Sequence, residues 1–164
     1  MCPELWHAMR LIICGGLEIM KKPLEVAQLY FDAWNRRDPH AIAALFAKDG
    51  TYNGPRTGQV LTGQQAIADY AKKLFTVYPD FSLEVISSAD MGGGLVATQW
   101  VEHGTHSGPF WDGSPPTGRT LTLPGASFTR VEGGKIRSER IYVDRQTVVE
   151  ELGLEGRHVR PYYY

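Results

Sequence analysis

The chain has 164 residues, 43% of them hydrophobic and 21% charged, and a formal net charge of −1. That length suffices to bury a core as one domain, and the near-zero charge, with basic residues scattered rather than striped, argues against a nucleic-acid partner. The two cysteines, Cys2 and Cys14, both fall in the first fourteen residues, which leaves no disulfide framework and no Cys-based zinc site, and fits a reducing, cytoplasmic setting.

Residues 1–22, "MCPELWHAMRLIICGGLEIMKK", read as an extension ahead of the folded domain. Pro3, Glu4 and His7 interrupt the start of any signal sequence, and "LIIC" is far too short to span a bilayer, so no membrane association is expected. Met20 then reads as the natural start, or residues 1–19 as a loosely attached arm. The domain proper is expected over 23–154, with a polar-aromatic tail over 155–164.

Regular patterning begins at Pro23. Leu24, Ala27, Phe31 and Trp34 recur at spacings of three and four, which predicts a helix opened by the proline. "DPHAIAALF" follows, with Asp38 as N-cap, Pro39 in the first turn and Ile42, Leu45 and Phe46 inward. A short strand is expected around Tyr52. Thr62 and Gln65 have the spacing of a capping box before a third helix that carries Ile67, Tyr70, Ala71 and Leu74.

After "YPD" the period changes to two. Phe81, Leu83 and Val85 alternate with polar residues, "DMGGG" turns, and "LVATQWVEHGTH" reads as a long strand. A loop over 107–118 leads to "RTLTLPGASFTRV"; Gly133-Gly134 makes a hairpin into "KIRSERIYVD", and "RQTVVEELG" closes with a brief helix. Three helices followed by antiparallel strands is an α+β pattern, a curved sheet wrapped against helices. Its bends are expected at bulges or at Pro/Gly sites such as Pro124-Gly125. The hollow between sheet and helices is the natural place for a small-molecule site.

The stretch "VEHGTHSGPFWDGSPPTGR", residues 101–119, concentrates chemistry in a connection. His106 can exchange a proton near neutral pH, or cap a loop carbonyl at a strand end. By strand alternation His103 shares a face with Gln99 and Val101, and Glu102 shares one with Trp100, so His103 and Glu102 cannot act as a pair. No third ligand stands near the two histidines, so no metal is expected. Trp34 and Trp100 are candidate cavity walls, though Trp100 also suits core packing. Phe110, Trp111 and Tyr78 suit an aromatic gate, with Trp111 either plugging the pocket or meeting a second subunit. Tyr142, by period two on the last strand, is a candidate phenolic donor.

The strings "YFDAWNRRDPHAIAALFAKDGTY", "GTHSGPF", "PPTGR", "GGKI" and "YVDRQTVVEELGL" resemble the SnoaL-like polyketide cyclases, an ester-cyclase branch of the nuclear-transport-factor-2-like superfamily. The resemblance covers roughly residues 23–154. It implies a cone-shaped α+β barrel of cystatin-like type, with a curved mixed or antiparallel sheet around three N-terminal helices. It also implies a deep pocket that works by acid–base chemistry without metal or cofactor, and a homodimer formed through the outer sheet face. The family's reaction removes a proton beside a carbonyl and closes a ring by intramolecular aldol addition.

On that pattern His106 matches the family histidine. Tyr52 and Asn53 fall where polar pocket residues are common, and Asp144 matches a fixed aspartate that either caps the last helix or lends its carboxylate. The strand after "PPTGR" presents an aspartate in the family, whereas here Ser127 stands at that position. A hydroxyl is no base at neutral pH without an activating partner. His106 or His103 would then have to replace the aspartate. The reading that follows is an acid–base catalyst on a carbonyl-bearing, polyketide-like or other apolar substrate. The alternatives are a non-catalytic ligand-binding protein of the same fold, favoured by Ser127, and a weaker epoxide-hydrolase-type reading, whose carboxylate pair is missing on this alignment.

Overall fold

A computed structural model describes residues 21–154. The expectations for the N-terminal arm and the C-terminal tail lie outside those residues. Helix α1 (Pro23–Asn35) starts at its proline and buries Val26, Ala27, Tyr30, Phe31, Ala33 and Trp34. The buried stripe is rotated from the predicted one, because Leu24 is 42% exposed while Val26 and Tyr30 are sealed. Helix α2 (Pro39–Ala44) is capped by Asp38, whose carboxylate accepts from the backbone N–H groups of His40 and Ala41.

Strand β1 (Phe46–Asn53) and the two-residue β2 (Leu61–Thr62) form a small antiparallel pair ahead of α3 (Gln64–Val77). The capping box is not made. Gly63 is the N-cap with φ +87° and no side-chain cap, Thr62 is taken up in β2, and Gln64 instead donates to the Phe46 carbonyl at 2.7 Å. The expected apolar face, Ile67, Tyr70, Ala71 and Leu74, is buried.

Strands β3 (Ser82–Asp90), β4 (Leu95–Thr105), β5 (Thr120–Glu132) and β6 (Lys135–Val143) complete one six-stranded sheet in the order β2-β1-β6-β5-β4-β3. Every pairing is antiparallel except β1 with β6, so the curved sheet is mixed and open at its two ends. Register shifts fall in β1, at Val85/Ser87 and at Arg130/Val131. The β4–β5 ladder runs unbroken past Pro124-Gly125, so no shift occurs there. Gly125 has a different reason: a Cβ would sit 2.3 Å from the Trp100 ring, so only glycine lets the indole lie on the strand. Helix α4 (Arg145–Leu152) packs on β5, with Asp144 as N-cap and Gly153, in the left-handed region, as C-cap.

The core fills the space between the inner sheet face and α1–α3. On β4, Val96, Thr98, Trp100 and Glu102 point in, and alternation turns Gln99, Val101 and His103 out. The 106–119 connection is pinned at both ends: His106 and Arg119 bond across its neck, and the Ser107 and Gly108 amides donate to the Val77 carbonyl. Gly108 lies so close to α3 that a Cβ would stand 1.9 Å from the Thr76 carbonyl oxygen.

Candidate functional site

Helices α1 and α3, the inner sheet face and the loop after β1 enclose a narrow cleft with about 30 Å³ of free space. Its walls are aromatic: Trp34, Tyr52, Tyr70, Phe81 and Trp100. Three charged side chains interrupt them, Arg56, Glu102 and Glu139.

Glu139 arrives on β6 in phase with Ile141 and Val143, opposite Thr129 of β5 and Tyr52 of β1. It is fully buried. Burial pushes its carboxyl up to about 7, while the hydroxyls of Thr129 and Ser127 pull the other way without closing to full hydrogen bonds. No ion pair reaches it among the described residues. A carboxyl held so exchanges its proton at neutral pH.

Arg56 and Glu102 form a partly buried ion pair, Nη2 to Oε2. Burial alone would lower the Arg56 pKa, but the charge of Glu102, with Tyr70 and Tyr78 behind it, outweighs burial and raises it. The guanidinium also lies 5.9 Å over the Tyr78 ring. Burial pushes the Tyr78 phenol up to about 12 and raises Tyr52 well above the usual range, so both remain protonated donors at neutral pH.

Of the residues singled out from sequence, Trp34, Tyr52 and Trp100 line this cleft. Ser127 stands behind the wall, 1% exposed, accepting from the Trp100 indole N–H at 3.4 Å. Asn53, next along β1, is not among the lining residues. The three proposed catalytic groups are not brought together. His106 is buried at the end of β4, its ring 3.8 Å from that of Phe110, and its Nδ1 accepts from the Thr117 amide at 3.2 Å. His103 is half-exposed on the outer face, 3.7 Å from Glu84. Asp144 caps α4 by accepting from the Gln146 amide and the Thr147 hydroxyl, which hold its carboxyl below the ordinary range.

Tyr142 also turns outward, 49% exposed, against Phe128. The inward phase of β6 belongs to Glu139, Ile141 and Val143. Trp111 stacks on Tyr70 with 16° between the rings, and Phe110 lies against His106 at a tilt of 32°, so this pair covers the site from the loop side rather than lining it.

The sequence reading missed Glu139, Arg56 and Tyr70. For Glu139 a signal was present: in "RSERIYV" the glutamate keeps the phase of the apolar residues, the mark of a charge destined for the interior. Glu102 carried the same signal beside Trp100. Arg56, in the irregular "GPRTG" loop, carried none. Among the described residues no three His, Cys, Asp or Glu side chains come together as a metal cage, and no helix is long and apolar enough to cross a membrane.

With this geometry in hand, the profile of the SnoaL-like polyketide cyclases matches residues 24–152. The chain belongs to that family. The SnoaL-like fold recurs in solved structures. IdmH from Streptomyces antibioticus, provisionally described as a polyketide cyclase, is 26% identical, with TM-score 0.69 and coverage of 81% of this chain and 99% of that one. A protein from Xanthomonas campestris described in the same provisional terms is 25% identical, with TM-score 0.71 and coverage of 79% and 96%. A hypothetical protein of ketosteroid-isomerase-like fold from Catenulispora acidiphila, solved with trimethylamine, shares 23% identity at TM-score 0.69, covering 81% and 95%, a likeness of fold alone. No curated protein matches the sequence.

Proposed function

We propose that this SnoaL-like protein is an acid–base catalyst of aldol-cyclase or isomerase type, acting without a cofactor on a carbonyl-bearing, polyketide-like or other apolar small molecule. One observation carries the reading: a carboxyl with no ion-pair partner among the described residues, Glu139, buried in an aromatic cleft and pushed up to about 7. Ionised, it takes the proton beside a substrate carbonyl, and the C–H electron pair becomes an enolate. Protonated, it returns that proton to the product. Arg56 and the phenols of Tyr52 and Tyr70 supply donors for the developing oxyanion. His106 then serves to hold the loop, and His103 stands apart from the chemistry.

The test is turnover of Glu139→Gln against a panel of aryl 1,3-diketones and β-keto esters. The expected loss is about 10²–10⁴-fold, with ligand affinity little changed and the limb near pH 7 gone from the rate profile. Unchanged turnover in this variant removes the proposal. Ser127 favours a second reading, ligand capture without turnover, because it spends its hydroxyl on Trp100 where the family resemblance places an acid. Tight binding with no product, in wild type and in Ser127→Asp alike, would establish that reading instead. A homodimer through the outer sheet face belongs to the same proposal, supported by the exposed Phe128–Tyr142 pair. Sedimentation velocity of the wild type and of Phe128→Glu tests it.

A further inference from the structure

The Arg56–Glu102 contact uses only one edge of each group. Arg56 Nη1 and Glu102 Oε1 are buried and have no hydrogen-bond partner among the described residues, and the Glu102 side chain is only 5% exposed. Both residues line the cleft. An unmet donor on a guanidinium and an unmet acceptor on a carboxylate are expensive to bury, and here they belong to one pair.

The charge arithmetic selects what can complete them. A carboxylate would gain Arg56 but meet the negative Oε1 of Glu102. An ammonium group would gain Glu102 but meet the guanidinium. Only a group that carries an acceptor beside a donor and no net charge satisfies both. The flanking rings, Tyr70 and Tyr78, suit a flat, apolar body behind it.

We infer that the open edges of Arg56 and Glu102 are a recognition site for a neutral acceptor–donor group, an amide or a carbonyl beside a hydroxyl, and that they reject free acids and amines. The inference rests on the reading of the cleft as a small-molecule site, and it names the polar signature that the ligand must carry. It needs no turnover: it survives if Glu139 proves not to be catalytic.

The experiment compares benzamide, benzoate, acetophenone and benzylamine, four ligands with one ring and different polar heads, by nuclear magnetic resonance titration of the full chain. Benzamide is expected to bind about tenfold or more tightly than the other three. The double variant Arg56→Met/Glu102→Leu removes both charges together, leaves neither alone in the interior, and is expected to fold while losing the amide preference. In Glu102→Gln the guanidinium keeps its charge without a counter-charge, and benzoate is expected to overtake benzamide. The inference is overturned if benzamide does not bind, if benzoate leads in the wild type, or if the preference survives in the double variant. Should that variant not fold, an unchanged ligand order in folded Glu102→Gln overturns it equally. Glu139→Gln, whose turnover tests the catalytic reading separately, should keep the wild-type order of ligands.

Discussion

Two regions of the molecule carry titratable side chains, and they use them in opposite ways. Around the 103–119 connection several polar side chains are committed to holding the backbone. His106 accepts from Thr117, Asp80 accepts from both the amide and the hydroxyl of Thr105, and Asp112 accepts from the Ser114 amide. These bonds hold Asp80 and Asp112 below the ordinary carboxylate range. In the cleft the balance is reversed: among the described residues Glu139 has no cation, and Arg56 and Glu102 each keep an unmet atom. Saturated groups build an edge; unsaturated groups in a hollow are available for chemistry. The stretch most conspicuous as sequence is therefore held by its own bonds, and the candidate site lies on a loop and on strand faces that draw no notice.

The contrast can be broken most forcefully at the ion pair. Arg56→Met alone strands Glu102 as a buried charge and should cost about 3–5 kcal/mol in denaturant unfolding, whereas the double variant with Glu102→Leu should return close to wild type. Equal losses in both would mean that the pair is not a unit.

Glu139 sharpens the comparison through pH. Its folded-state pKa, about 7, lies above the unfolded value, so the native state binds the extra proton between about pH 4.5 and 7. The stability contributed by that proton is fully present below pH 4.5 and is lost as pH rises through 7. Glu139→Gln should abolish this decline, and its stability relative to wild type should improve by on the order of 3 kcal/mol between pH 4 and pH 8. Thermal unfolding across that range reads it directly.

His106→Ala should cost about 2–3 kcal/mol, because it empties a packed site against Phe110 and leaves the Thr117 amide without its acceptor. Faster hydrogen exchange at Gly118 and Thr117 would report the loosened loop. His103→Ala, on the outer face, should stay within about 0.5 kcal/mol and leave turnover unchanged. A large effect there would collapse the distinction between the two faces of β4.

The fold was legible because its signals are local. Pro23 and Asp38-Pro39 start helices, alternation marks β4 to β6, and Gly133-Gly134 closes the hairpin where expected, whereas β3 is exposed along most of its length, Val85 included. Thr62 misled because a two-residue strand claimed it before it could cap α3, a pairing no local pattern announces. The phase of β4 was read correctly, with His103 opposite Glu102, but period two cannot say which phase faces the core. Trp100 and the helices decide that, through long-range contacts. Arg56 was illegible for the same reason, since its partner lies 46 residues away on another element.

The neighbourhood of Ser127 and Glu139 has a consequence for the family's chemistry. Ser127 and Glu139 sit on adjacent strands close enough for the hydroxyl to influence the carboxyl, and an aspartate at 127 would put two acids into one dry enclosure. Their titrations would couple, and one would stay protonated far above neutrality. Swapping Ser127→Asp with Glu139→Ser should therefore transplant the neutral-range titration from one strand to the other.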